Sequence, residues 1–138
     1  APLTLQKNRF WHLNRPQDLD RMEVGAKHLI GTHDFTTFRS SICQANSPIR
    51  TIDSISFKEK DLPNGRLIVI ECKAKSFLHN QVRSIVGSLE KVGSHKWKPE
   101  YIKFILESKD RKKCGSLAPP QGLYLKNITY ENGIFKQN

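Results

Sequence analysis

The sequence predicts an α+β fold, with a mainly antiparallel sheet and helices packed on one face of it. Two strand-like segments alternate apolar and polar residues, and a connector rich in turn residues lies between them, which favours an antiparallel hairpin. Three further segments repeat apolar residues every three to four positions, as amphipathic helices do. The predicted order of elements is strand, helix, strand, strand, helix, helix, strand, and the second face of the sheet is left for a partner.

Length and composition favour a single domain over residues 1–138. A chain of this size buries roughly two-thirds of its unfolded surface, which is enough for a hydrophobic core. No apolar run approaches the ~20 residues needed to cross a bilayer, so we expect no membrane partner. The chain does not begin with Met, and we expect it to be a piece of a longer protein.

The first two predicted elements are a short strand and a helix. Residues 8–13 have the aromatic content of a strand, although an extended linker has the same pattern. Asp18 is placed to cap the N-terminus of the helix, and Gly31 is placed to end it. One apolar face of this helix is formed by Leu19, Met22, Ala26, Leu29 and Ile30.

Residues 31–39 are predicted to form a loop that Phe35 and Phe38 anchor to the core. Its adjacent His33 and Asp34 admit either an acid–base role or a role in turn hydrogen bonds. Adjacent side chains in extended backbone point in different directions, so the role in turn hydrogen bonds is favoured.

The next two elements form the predicted hairpin. Ile52, Ile55 and Phe57 mark its first strand, and the turn-rich residues 60–65 connect it to a second strand over residues 66–75. The apolar face of the second strand consists of Ile68, Ile70, Cys72 and Ala74. The opposite face begins with Leu67 and Val69 and ends in Glu71, Lys73 and Lys75.

The stretch 76–87 predicts a helix that carries one distinctive arginine. The apolar face of this helix consists of Leu78, Val82, Ile85, Val86 and Leu89. Arg83 lies off that face, and no carboxylate stands three or four residues away to pair with it. Its guanidinium must therefore contact another segment, a phosphate or water, and a solvated surface arginine is the alternative. The preceding strand brings Lys73 and Lys75 to the same corner, which is strongly positive.

A third helix and a final strand complete the predicted elements. Pro99 opens the helix in the favoured first turn. The buried side of this helix is formed by Tyr101, Ile102, Ile105 and Leu106. A basic run over residues 109–113 follows. Residues 118–122 are stiff and turn-like, and residues 123–130 have the composition of a strand.

The net charge of +10 is concentrated in the second half of the chain. Residues 70–138 hold 13 basic against 6 acidic side chains, whereas residues 1–69 hold 10 against 7. Such an excess favours an anionic partner, nucleic acid before an acidic membrane surface, although solubility alone also explains it. The three cysteines and five histidines lack the spacing of a disulfide framework or a metal site. We therefore expect no metal and a reducing, cytoplasmic location.

Four segments of the chain form a recognisable set. They are residues 31–39 (GTHDFTTFR), 77–87 (FLHNQVRSIVG), 109–111 (KDR) and 118–125 (APPQGLYL). In this order they resemble the C-terminal half of the bacterial tRNA pseudouridine synthase A family, whose members modify the anticodon arm of tRNA. The family's catalytic aspartate belongs to an N-terminal domain, and its motif does not occur here. Asp53 lacks the context of that motif, so it is not assigned as the nucleophile.

The resemblance implies an isomerase that converts uridine to pseudouridine without a cofactor or a metal. It assigns Arg83 as the partner of the catalytic aspartate on the absent domain, and Leu123 to the lining of the uridine pocket. The basic side chains that we expect to contact tRNA phosphates are Lys73, Lys75, Arg111, Lys112 and Lys113. The chain alone is expected to be inactive, and the whole protein is expected to act as a homodimer. The alternative is an RNA-binding module without a catalytic role.

Overall fold

The central element of the fold is a three-stranded antiparallel sheet with the strand order β1-β2-β3. The computed structural model describes residue 13 and residues 16–40, 46–63, 65–119, 129–130 and 133–134. Within them the strands are β1 (Gly31–Asp34), β2 (Ile49–Leu62) and β3 (Gly65–Ala74). β2 and β3 pair antiparallel from Ile52 opposite Ala74 to Leu62 opposite Gly65. The predicted hairpin is therefore confirmed.

The strand β1 lies where the sequence predicts a loop, and that prediction is wrong for residues 31–34. β1 pairs antiparallel with β2, with Gly31 opposite Ile52. The hydroxyls of Thr32 and Thr51 share a hydrogen bond of 2.7 Å across the pair. With only four residues and no apolar alternation, β1 has no strand signal of its own. Its conformation is decided by pairing with β2, which is the kind of tertiary context that outweighs local β propensity.

In the described part of the chain three α-helices accompany the sheet: α1 (Leu19–Lys27), α2 (Gln81–Gly93) and α3 (Tyr101–Ser108). Asp18 caps α1 as predicted, because its Oδ1 accepts a hydrogen bond of 3.3 Å from the backbone N–H of Arg21. The helix ends at Lys27, earlier than the predicted stop at Gly31. Gly31 instead begins β1 with a φ of 102°, a conformation that favours glycine.

The helices α2 and α3 both begin later than their sequence patterns. Leu78 is buried but lies ahead of α2, in a turn where its backbone N–H donates to Oε1 of Gln81 at 2.8 Å. Pro99 lies in the turn before α3, two residues ahead of its first residue. The apolar faces predicted for both helices are nevertheless the faces that pack inward.

The hydrophobic core lies between the sheet and the three helices, with α2 at its centre. Its fully buried side chains include Leu29, Phe35, Phe38, Ile52, Ile85, Leu89, Val92, Ile102 and Ile105. The opposite face of the sheet carries exposed side chains such as Val69 and Lys73. The predicted α+β class, with helices on one face of an antiparallel sheet, is therefore confirmed.

A β-bulge interrupts the pairing of β2 with β3. Ile52 lies opposite Ala74, whereas Ser54 lies opposite Lys73, so Asp53 is one extra residue on β2. Side chains in a regular strand alternate between the two faces, and residues 52 and 55 would then lie on opposite faces. The extra residue shifts the alternation by one position. Ile52 and Ile55 are consequently both buried in the core.

Two predicted strands fall largely outside the described residues. The one at residues 8–13 lies outside them except for residue 13, and the one at residues 123–130 lies outside them except for residues 129–130. Those last two residues form β4 (Thr129–Tyr130), which pairs antiparallel with β5 (Gly133–Ile134). In the part of the chain that the structure describes, no helix combines the length and the apolar character that crossing a bilayer requires.

Candidate functional site

An extended segment, residues 114–118, crosses one side of α2, and we call it the strap. The backbone N–H of Gly115 donates to Oγ of Ser88 at 3.0 Å, and that of Ala118 donates to the carbonyl oxygen of Arg83 at 3.0 Å. The strap runs directly over Gly87, where a Cβ atom would lie 1.6 Å from the carbonyl oxygen of Ser116. The strap can approach this closely only because residue 87 has no side chain.

The strap also determines where the Arg83 side chain points. Nε of Arg83 donates to the carbonyl oxygen of Ala118 at 2.7 Å, and Nη1 donates to Oδ1 of Asn80 at 3.2 Å. The side chain is half-buried. Of the partners that the sequence allows, the structure therefore provides another segment of the chain. Among the described residues, no carboxylate forms a salt bridge with Arg83.

Sequence reasoning missed Asn80, although it stands three residues before Arg83. Asn80 directly precedes α2 and has a φ of 64°, in the left-handed region. Asparagine is enriched there because its short polar side chain tolerates this backbone. The available sequence signal was the three-residue spacing, which places the two side chains next to each other at the start of a helix.

The predicted phosphate-contacting residues lie on two segments that flank α2. Lys73 is near the end of β3, Lys75 follows that strand directly, and both side chains are exposed. Arg111, Lys112 and Lys113 are also exposed, and together they form a single 3-10 turn.

That turn lies immediately before the strap. Its geometry is fixed by Asp110, whose Oδ1 accepts a hydrogen bond of 2.9 Å from the backbone N–H of Lys112. Nζ of Lys113 lies 5.8 Å from the ring centroid of Phe104. The strap contacts α2 at Ser88, five residues after Arg83. At 1.5 Å per residue, this separation is about 7.5 Å along the helix axis.

Leu123, predicted to line the uridine pocket, lies outside the described residues.

The adjacent His33 and Asp34 have separate hydrogen-bond partners. Asp34 Oδ1 accepts from the backbone N–H and the hydroxyl of Thr36 at 2.9 and 2.6 Å, whereas Nε2 of His33 lies 2.8 Å from the carbonyl oxygen of Ile30. The favoured role in turn hydrogen bonds is confirmed for Asp34. Burial raises the pKa of Asp34, but the Thr36 hydrogen bonds and the nearby cationic side chains outweigh this and lower it overall.

The described cysteines, Cys72 and Cys114, are partly buried free thiols. Burial raises the pKa of Cys72 to about 12. Burial also raises the pKa of Cys114, although hydrogen bonds with Ser84, Ser88 and Gly115 partly offset the effect. Among the described residues, no three His, Cys, Asp or Glu side chains lie together as a set of metal ligands would.

A cavity of about 310 Å³ lies away from Arg83. It opens between the end of α1, β1 and α3, and its charged lining mixes Lys27, Lys103 and Lys109 with Asp34 and Glu107. No residue of α2 or of the strap lines it. The charges that line this cavity largely cancel. The basic corner around Arg83 is therefore the better candidate for binding an anionic partner.

Comparison with known proteins identifies the family. A family model described as tRNA pseudouridine synthase matches residues 26–131. The tRNA pseudouridine synthase A of Paracoccus denitrificans (strain Pd 1222) is 49% identical over 138 residues, which are 100% of this chain and 53% of that protein. The protein of the same name from Jannaschia sp. (strain CCS1) is 51% identical over 135 residues, covering 98% of this chain and 52% of the relative.

This chain therefore belongs to the tRNA pseudouridine synthase family. The resemblance drawn from the four sequence segments is confirmed. The chain spans about half the length of the curated relatives that it matches.

Proposed function

We propose that this chain is the C-terminal half of a tRNA pseudouridine synthase, which isomerises uridine to pseudouridine in the anticodon arm of tRNA. Its membership of the family and its coverage of about half of each relative support this proposal. The N-terminal half supplies the catalytic aspartate, so this chain alone is inactive. The whole protein works without a cofactor or a metal, as a homodimer in the cytoplasm.

The observation that best supports the proposal is that two hydrogen bonds hold the side chain of Arg83 in place. Its guanidinium is half-buried and fixed at Nε and Nη1 by Ala118 and Asn80. Nη2 makes no hydrogen bond to the described residues, so it remains able to donate to a carboxylate of another domain. A cation within about 4–6 Å of a carboxylate favours its ionised form, and a hydrogen bond between the two fixes the orientation of the carboxylate. Both effects serve an aspartate that attacks a uridine.

The reaction breaks the glycosidic bond, rotates the base and forms a carbon–carbon bond to the same sugar. The uridine must leave its stack before this chemistry, at a cost of a few kcal/mol. Contacts from basic side chains to the RNA backbone offset that cost. We assign these contacts to Lys73, Lys75 and the basic turn Arg111–Lys113, and we assign Leu123 to the lining of the uridine pocket, where the exclusion of water strengthens the Arg83–aspartate pair.

The test of this proposal is Arg83→Ala in the intact protein that contains the chain, with pseudouridine in tRNA measured by mass spectrometry. We expect kcat to fall by about 100-fold or more, because the charge partner of the aspartate is lost. Binding of tRNA is expected to persist. Arg66→Ala is the matched control, since it also removes a guanidinium, but one at the turn end of the β2–β3 hairpin, where Arg66 pairs with Glu59 and donates to the carbonyl oxygen of Gln17. Wild-type turnover in Arg83→Ala would refute the catalytic role.

The basic turn has its own test, which measures tRNA affinity against salt concentration. A plot of log K against log salt has a negative slope. The double variant Lys112→Gln/Lys113→Gln should make this slope less steep, by about 0.7–0.9 for each phosphate that is no longer neutralised. The control is Lys58→Gln/Lys60→Gln, which removes the same charge from exposed positions on β2. Equal slopes for the two double variants would contradict the assignment of phosphate contacts to this turn.

A further inference from the structure

We infer that Asn80 is a positioning residue, which holds the plane of the Arg83 guanidinium in the direction that catalysis needs. This inference rests on the function proposed for Arg83 and deepens it. Asn80 does not touch the substrate in this scheme. It acts through the hydrogen bond of 3.2 Å between its Oδ1 and Nη1 of Arg83.

The first argument is that the side chain of Asn80 does not do what an asparagine at this position usually does. Asparagine ahead of a helix ordinarily has extended backbone, and its side chain accepts a hydrogen bond from an N–H of the first turn. Asn80 is the residue before α2, yet its side chain makes no such bond and its backbone is left-handed. Its oxygen is directed at the arginine instead.

The second argument comes from the other left-handed residues. Among the described residues, the only non-glycine positions with positive φ are Asn80, His95 and Lys109. His95 and Lys109 lie just after α2 and α3, where a left-handed residue ordinarily ends a helix. Asn80 lies at the start of a helix, so helix termination does not explain its conformation. With this backbone conformation, the side-chain oxygen of Asn80 accepts a hydrogen bond from Arg83.

The third argument is geometric. An arginine side chain has several rotatable bonds, and the hydrogen bond from Nε to Ala118 fixes only one point of its planar group. A second bond at a different nitrogen, supplied by Asn80, fixes the plane. The nitrogen left without a bond to the described residues, Nη2, then has a defined direction. Orientation of this kind contributes to the rate of the chemical step rather than to binding.

The test compares two variants of the intact protein. Asn80→Gly keeps the backbone freedom at φ 64° but removes the oxygen, whereas Asn80→Asp keeps an acceptor and also tolerates that backbone. We expect Asn80→Gly to leave the urea midpoint and the KM for tRNA near wild type, while kcat falls roughly 10- to 100-fold. Asn80→Asp should recover part of that loss. Wild-type kcat in Asn80→Gly, or no recovery in Asn80→Asp, would overturn the inference.

A double-mutant cycle separates positioning from a general structural role. In an Arg83→Lys background the nitrogen that Asn80 holds is gone, so Asn80→Gly should lower kcat by less than about 3-fold. An unchanged 10- to 100-fold loss in that background would show that Asn80 does not act through Arg83. If Arg83→Ala is inactive and Asn80→Gly is fully active, the inference fails while the proposed function stands. If Arg83→Ala is fully active, both fail.

Discussion

The close contact between α2 and the strap makes Gly87→Ala a severe test of the described packing. The added Cβ would lie 1.6 Å from the carbonyl oxygen of Ser116 and 2.8 Å from its carbonyl carbon. Both contacted atoms are backbone, so the strap must move by about 2 Å to restore ordinary contact distances. That movement breaks the hydrogen bonds that join Ala118 to Arg83 and Gly115 to Ser88.

The energetic cost follows from these broken bonds and the crowding. Loss of two hydrogen bonds costs about 2 kcal/mol, and strain from overpacking adds about 1–3 kcal/mol. Replacing glycine by alanine inside a helix returns about 1 kcal/mol. We therefore expect Gly87→Ala to lower the free energy of unfolding by roughly 2–4 kcal/mol, which moves the urea midpoint down by about 1–2 M.

The assay is equilibrium urea unfolding followed by far-UV circular dichroism. Gly25→Ala in α1 is the matched control, because a Cβ there meets only side-chain atoms, with Ile102 Cγ1 nearest at 3.3 Å. Its free energy of unfolding should change by less than about 1 kcal/mol. If Gly87→Ala unfolds at the wild-type midpoint, or if both variants lose equal stability, the described position of the strap is wrong.

Two further predictions follow from the perturbed pKa values. The pKa of the Asp34 carboxyl is lowered in the folded state below its ordinary value of 3.8, so its stabilising effect is complete above that value and is lost as the pH falls further. When the pH falls from about 5 to about 3, the urea midpoint of Asp34→Asn should therefore decrease less than that of the wild-type chain. An equal decrease in both would contradict this. Burial keeps the thiols of Cys72 and Cys114 protonated, so iodoacetamide at neutral pH should alkylate both slowly in the folded chain and rapidly in urea. Peptide mapping by mass spectrometry measures each thiol separately, and equal rates in the two states would contradict the partial burial of these thiols.

Much of the fold was predictable because local patterns and the tertiary structure agree. The alternation of apolar residues in β3 predicted the face that meets the core, and Asp18 marked the start of α1 correctly. The strand β1 could not be predicted in the same way, since nothing in Gly31–Asp34 distinguishes a strand from a loop until β2 lies beside it. The extra residue Asp53 was equally invisible, because a bulge is a property of two paired strands.

For Arg83, the need for a distant partner was predictable, whereas the identity of that partner was not. The absence of a local carboxylate singled out Arg83 and required a partner from elsewhere. That partner is a backbone carbonyl at Ala118, 35 positions along the chain, and no pattern of side chains encodes a hydrogen bond to a main-chain oxygen. The spacing of Asn80 from Arg83 was visible in the sequence, whereas its left-handed backbone was not.

The bulge in β2 has a consequence for how insertions and deletions act on this domain. A substitution at Asp53 changes one exposed side chain and leaves the phase of the strand intact. Removing the residue would leave Ile52 and Ile55 two positions apart, so both would face the core as in any regular strand. The ladder with β3 would then run without interruption, and β2 would lose the local bend and added twist of the bulge. A deletion at this one position therefore changes the shape of the sheet and spares its buried face.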